Sequence, residues 1–435
     1  MTYIIEEVII KMEIAILINE FPPNIRSSVG RYAEMGIKYI NKVENTSMSV
    51  FTTNTGYLPQ QQDVNGITVY RPLNFIQKIS MKLREKVESS FFSRLFFFFI
   101  VFINNFQFYR LVKKRHQTNA FDVIVIHSLI HSISGFLCAR RLGIPVVFHK
   151  HRGEFARMPD WWRRDPFKLM ELTESAMEKL SAKIIVLTEE MYAENLSYGI
   201  SPEKLKIISN GCEVELFQNT DINCSCAKQK AANLKKELEI GDDTKVILYV
   251  GALTEDKGVF NLIKAIKILV NNGHKVKLVL VGSGKNAKVR TIINSYGLQK
   301  EIHAYYKIID TNCLIYHYAI ADVCIFPSIT KEPFGMNVTE AMSFGKLVIL
   351  GYGYSKLFAE YENKPCVFYV DGKQPGKIGA QLVYIMDNKD RFQEVAQNGR
   401  RYVQNCFKWE TAAQKTVVAY NEVISSNENL MASNL

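Results

Sequence analysis

The sequence predicts an α/β protein of two domains, each built on a parallel sheet. Short apolar runs of four to six residues alternate with amphipathic stretches of ten or more along almost the whole chain. A length of 435 residues exceeds one ordinary domain. The rhythm breaks once, near residues 211–232, in a polar stretch carrying Cys and Lys. In order, residues 14–19 read as a strand and 29–40 as the helix after it. Strands at 123–126 and 146–148 flank a helix at 132–142, and a strand at 184–187 leads into a helix at 189–198. The second half repeats this as strand 246–250, helix 259–270, strand 277–281, helix 286–295 and strand 323–326. Their Val/Ile/Leu-rich character is that of strands covered on both faces. We therefore place one domain at 12–210, a second at 211–410, and a terminal helix at 411–435 expected to pack back on the first. No repeat of solenoid period is visible.

Composition narrows the function classes. With 47% hydrophobic and 22% charged residues the chain reads as globular. Its net charge of +11 points to an anionic partner without choosing one. The eight cysteines are scattered, several inside apolar runs, as buried free thiols are. Cys224 and Cys226 form a C-x-C, but no second Cys/His pair stands at zinc-site spacing, so no metal is expected. The first eleven residues read as a loose extension. With Glu6 and Glu7 and no basic start or cleavage site, they do not look like a signal peptide, and a reducing cytoplasm is the expected location.

The chemistry concentrates in residues 327–342, PSITKEPFGMNVTEAM, after the strand ending at Phe326. Pro333 and Gly335 suit a tight turn into a helix. A helix N-terminus offers unpaired N–H groups and partial positive charge, enough to hold a diphosphate. Glu332 precedes that helix and Glu340 lies on it, where two carboxylates could grip hydroxyls of a sugar and a ribose. Read alone, they could equally be a favourable first-turn charge and a solvated helix position. The loop Gly251-Ala252-Leu253-Thr254-Glu255-Asp256-Lys257-Gly258 follows another strand, and Lys257 there could reach the same diphosphate or be a surface lysine.

Several motifs together resemble family 4 of the retaining glycosyltransferases (glycosyl transferases group 1). They are Gly30 after the first strand, His127 ending a D-x-x-x-x-H run, His151 ending a P-x-x-x-x-x-H run, and Ser209-Asn210-Gly211 with Phe217. Glu332 and Glu340 match the family's paired glutamates, and Phe407-Lys408-Trp409 its final aromatic element. The resemblance implies the GT-B fold, two Rossmann-like domains facing each other across a cleft. The N-terminal domain would bind the acceptor and the C-terminal one the nucleotide-sugar. It implies donor contacts at Gly30, Gly251, Lys257, Glu332, Phe334, Gly335, Met336, Asn337, Val338 and Glu340. Lys257 would neutralise the diphosphate, Glu332 bind sugar hydroxyls, Glu340 the ribose, and His151 face the reacting centre. Glu332, Lys257 and His151 are thus the implied catalytic set, and His127 reads as structural. The donor would be a substrate, with no cofactor and no metal. The chain departs from the family at Ala252, where an Arg often partners the Lys, and at Gly351-Tyr352-Gly353-Tyr354-Ser355, which differs from the usual gG-x-x-E.

Residues 77–115 hold nine basic side chains against Glu85 and Glu88, around the apolar run 95–103. Nine apolar residues are too few to span a bilayer, which needs about 20. Aromatic bulk flanked by Lys and Arg suits an anionic membrane surface, which would make the protein peripheral on the inner face of the cytoplasmic membrane. The alternative is a helix buried in the domain. Arg152, Trp161, Trp162 and Arg163 could stack a sugar and hold an anionic acceptor, or anchor their loop. The expected activity is sugar transfer to a glycan or lipid-linked acceptor in lipopolysaccharide or capsule-type polysaccharide synthesis; the alternative is a non-catalytic nucleotide-sugar-binding scaffold. Nucleic acid is not an expected partner, because the phenylalanines form one apolar run and do not interleave with charge. No G-x-G-x-x-G follows the first strand, which argues against a dinucleotide dehydrogenase.

Overall fold

A computed structural model describes residues 11–25, 28–54, 58–73, 91–151, 169–213 and 225–433. Two compact units divide the chain, Met1–Asn210 together with Trp409–Leu435, and Gly211–Lys408.

The first unit begins with β1 (Met12–Ile18), α1 (Ser28–Ile40), β2 (Thr46–Thr52), β3 (Gln61–Val64) and β4 (Ile67–Tyr70). The long α2 (Phe91–Thr118) leads to β5 (Val123–Ile126), α3 (Ser132–Leu142) and β6 (Val146–His149). Then come α4 (Leu169–Leu180), β7 (Lys183–Val186), α5 (Glu189–Ser197) and β8 (Leu205–Ile207). The eight strands order as β3-β4-β2-β1-β5-β6-β7-β8, with only the β3–β4 pair antiparallel. Every residue of β5 and β6 is buried, the result of helical cover on both faces.

In the second unit α6 (Ser225–Glu237) precedes β9 (Lys245–Val250), α7 (Val259–Asn271), β10 (Val276–Val281) and α8 (Asn286–Tyr296). There follow β11 (Ile302–Ala304), α9 (Thr311–Ile320), β12 (Val323–Phe326), α10 (Met336–Ser343) and β13 (Leu347–Gly351). The unit ends with the ribbon β14 (Glu360–Tyr361) and β15 (Lys364–Pro365), then β16 (Phe368–Val370), α11 (Pro375–Asp387) and α12 (Gln393–Cys406). Its parallel sheet orders as β11-β10-β9-β12-β13-β16. The chain moves outward from β9 through β10 and β11, then returns to start the other side at β12. Open α/β sheets bind ligands at such a reversal, beyond the carboxyl ends of the strands.

The final helix α13 (Trp409–Ser433) belongs to the first unit. Trp409 meets Tyr32 of α1 edge-on at 5.9 Å and stacks on Tyr39 at 6.4 Å. Gly36 permits this, since a Cβ there would lie 3.1 Å from the indole.

Gly30 lies in the first turn of α1, within the helix expected at 29–40, against the carboxylate of Glu20. The apolar run 95–103 is part of a 28-residue helix. That helix continues through polar Asn105 because its amide is satisfied internally, donating to the carbonyls of Val101 and Ile130. Among the described residues no helix is long and apolar enough to cross a membrane. The seven described cysteines are free, four buried and three exposed.

Candidate active site

In the second unit, the loop after β12 and the loop after β9 lie side by side at the strand-order reversal. Their backbones are joined, Ile329 N donating to the Asp256 carbonyl at 2.8 Å. Gly258 sits so close to Pro327 that a Cβ would fall 2.1 Å from its carbonyl oxygen. This places the ammonium of Lys257 in an ion pair with Glu332. Ser328 donates its hydroxyl to the same carboxylate oxygen at 2.5 Å. The Glu332 side chain is 7% exposed and that of Lys257 19%. A buried carboxylate costs free energy unless paired and hydrogen-bonded, and here it is both.

The helix that follows starts at Gly335, whose φ of +119° lies in the region that disfavours side chains. Asn337 fixes the first turn to the end of β9 by donating its amide to the Val250 carbonyl at 2.8 Å. Further along α10, Glu340 accepts the Tyr318 hydroxyl at 3.0 Å. Burial, then the Glu340 charge, hold the Tyr318 phenol well above its ordinary range. The loop 351–355 closes the other side. Glu332 N donates to the Gly353 carbonyl at 2.7 Å, and Gly353 N to that of Ser328 at 3.2 Å. A cation, a carboxylate and a helix N-terminus thus converge at the carboxyl edge of β9 and β12. An anionic diphosphate can compete with Glu332 for Lys257 and gain the helix start.

The first unit gathers a different group. Parallel pairing of Ile126 with Phe148 sets His127, just past β5, beside His149, the last residue of β6. His151 follows, its Nε2 2.9 Å from His127 Nδ1, while His149 Nε2 meets the Tyr420 hydroxyl at 2.9 Å. The Tyr32 ring packs on all three imidazoles at 4.9–5.8 Å. Burial, then the neighbouring histidines, hold His127 and His149 well below the ordinary imidazole value, so both are neutral near pH 7.

Comparison with known proteins gives the family. Residues 230–402 match the model for glycosyl transferases group 1, and residues 68–216 that for glycosyltransferase family 4. The chain belongs to family 4 of the glycosyltransferases. An uncharacterized glycosyltransferase of Methanocaldococcus jannaschii is 26% identical over 94% of this chain and 98% of its own. The lipopolysaccharide 1,2-N-acetylglucosaminetransferase of Salmonella typhimurium is 26% identical over 70% of this chain and 74% of its own. HepE of Anabaena, solved in complex with UDP-glucose, superposes with a TM-score of 0.68 at 16% identity, over 95% of this chain and all of its own. The fold of this glycosyltransferase is GT-B.

Of the residues singled out in the sequence, the structure brings Lys257, Glu332, Gly335, Met336, Asn337, Val338 and Glu340 to the β9–β12 edge, with Gly251 at the end of β9. The Phe334 ring is 1% exposed and packs on Phe358 and Phe407 at 5.5 Å each, so only its backbone is left to offer a donor. Val338 is fully buried, leaving only its backbone to offer. Ala252 is exposed and supplies no charge. Arg152, Trp161, Trp162, Arg163, Phe217, Cys224, most of the extension 1–11 and residues 77–90 lie outside the described residues. Ser328, Tyr318, His149, Tyr32 and Tyr420 were not singled out. Ser328 stands four residues before Glu332, a spacing that could have drawn attention; the others carry no local signal.

Proposed function

We propose that the protein transfers a sugar from a nucleoside-diphosphate donor to a glycan or lipid-linked acceptor, with retention of anomeric configuration, in cell-surface polysaccharide synthesis. The observation that carries this is the Lys257–Glu332 pair set beside the Gly335-capped helix at the strand-order reversal. Donor diphosphate would take Lys257 and the first turn of α10. Glu332 would then bind sugar hydroxyls and Glu340 the ribose. As the bond from the anomeric carbon to the leaving phosphate oxygen breaks, negative charge grows on the diphosphate. Lys257 and the helix N-terminus stabilise that charge without a metal ion, because they are already oriented. The acceptor oxygen attacks on the face the diphosphate leaves and passes its proton to a donor phosphate oxygen. The resemblance also gives His151 a role at the reacting centre. The bound UDP-glucose of HepE and the transferase activity named for the Salmonella relative support this donor and acceptor class.

A membrane surface is the proposed location of the acceptor, on the inner face of the cytoplasmic membrane. Phe99, Phe102 and Phe106 are 48–57% exposed. Arg110, Lys113 and Gln117, exposed too, continue the same stripe of α2 at helical spacing. An apolar half followed by a basic half suits an anionic bilayer interface.

Thermal-shift titration with a panel of nucleotide sugars tests the donor reading. At least one donor is expected to stabilise the wild type, with the effect lost in Glu332→Ala and Lys257→Ala. No stabilisation by any donor would remove the reading. Tight binding without turnover against an acceptor panel would favour the non-catalytic scaffold.

A further inference from the structure

We propose that His127, His149 and His151 form a binding site for one divalent transition-metal ion of the zinc class within the first unit. This goes beyond the diphosphate-binding groups, which all belong to the second unit, and gives His151 a second role beside the one proposed for it in transfer. One ring nitrogen from each histidine lies within 4.8 Å of the other two. The residues are 1%, 2% and 9% exposed. Adjacent parallel strands supply His127 and His149, so the donors sit on the rigid edge of the sheet.

One further observation favours an ion: the His127 Nδ1–His151 Nε2 contact of 2.9 Å is close to what one metal needs. Two imidazole nitrogens at 2.0–2.1 Å from a tetrahedral zinc stand roughly 3.3 Å apart, a separation reached by a few tenths of an ångström of ring movement. Tyr420 holds His149 through the hydroxyl contact, and the Tyr32 ring holds all three, which is the support a metal site requires. A small pocket lined by Tyr32, Gly36, Ser209, Asn210 and Trp409 reaches His149. The group contains three imidazoles and neither thiolate nor carboxylate, a donor set for zinc, cobalt, nickel or copper and not for magnesium or calcium. Water would complete a four-coordinate ion.

The test uses the full chain freed of metal by chelation and titrated with Co²⁺ and Zn²⁺. Co²⁺ is expected to give the visible absorption of a tetrahedral nitrogen site at a stoichiometry of about one per chain. His149→Gln, which keeps a polar group beside Tyr420, is expected to weaken Co²⁺ binding at least tenfold. If that variant does not fold, X-ray absorption of the zinc-loaded wild type decides, with imidazole nitrogens expected at about 2.0–2.1 Å. Absence of binding to the wild type overturns the proposal. So does unchanged affinity in a folded His149→Gln protein. A thiolate-to-cobalt charge-transfer band, or a sulfur shell near 2.3 Å, would assign the ion to exposed Cys226, Cys313 or Cys406 and also overturn it.

Discussion

Replacing Lys257 by alanine separates what the Lys257–Glu332 pair does for the fold from what it does for the donor. The Glu332 carboxylate is 7% exposed and receives the ammonium and the Ser328 hydroxyl. Loss of the ammonium leaves a buried charge with one neutral hydrogen bond. Removing one partner of a buried ion pair costs roughly 3–5 kcal/mol. The Lys257 side chain retains 19% exposure and Ser328 remains, so the expected loss lies at the low end, about 3 kcal/mol. The double variant Lys257→Ala/Glu332→Gln removes the orphaned charge as well, and should recover about 1–2 kcal/mol of that loss. Hydrogen exchange of peptides from β9 and β10 reads the second unit apart from the first. In transfer assays Lys257→Ala should lower turnover by about 10²–10³, the effect of removing one preorganised charge partner. Unchanged exchange in the single variant, or a double variant no more stable than the single, refutes this account of the pair.

Three other outcomes follow from the same geometry. Burial pushes His131 from 6.5 down to about 4, so between those values the unfolded chain binds the extra proton. Stability therefore falls as pH drops below 6.5, by about 3 kcal/mol at pH 4 from this residue alone, and urea denaturation followed by tryptophan fluorescence should show it; a midpoint constant from pH 7 to 4.5 contradicts it. Gly353→Ala would set a methyl 2.1 Å from the Thr330 carbonyl oxygen, costing about 1–3 kcal/mol and displacing the partner of Glu332 N, so donor-induced thermal stabilisation should be lost. Phe102→Ser/Phe106→Ser should reduce cosedimentation with phosphatidylglycerol vesicles while leaving the melting temperature unchanged within a degree or so, because both rings are exposed.

Most central strands were legible in the sequence because burial on both faces writes them as uninterrupted apolar runs. The expected strands at 123–126 and 323–326 coincide with β5 and β12. Strands without that signature were not found. β2 is buried yet reads Thr-Ser-Met-Ser-Val-Phe-Thr, and β3 is an exposed edge strand of Gln-Gln-Asp-Val. The glutamates and Lys257 were legible as motifs, but their pairing was not. Seventy-five residues separate Lys257 from Glu332, and only the adjacency of β9 and β12 brings them together. The histidine cluster is similar: His127 and His149 become neighbours through the β5–β6 register, and Tyr420 joins them from α13. Local sequence carries the strand ends; strand order decides which ends meet.

Transfer of sugar from the donor that stabilises the protein, with the product's anomeric configuration read by proton NMR, tests the central claim most directly. The wild type is expected to form a glycosylated acceptor that keeps the donor's anomeric configuration, and Glu332→Ala is not. An inverted product, or equal turnover by Glu332→Ala, would contradict it.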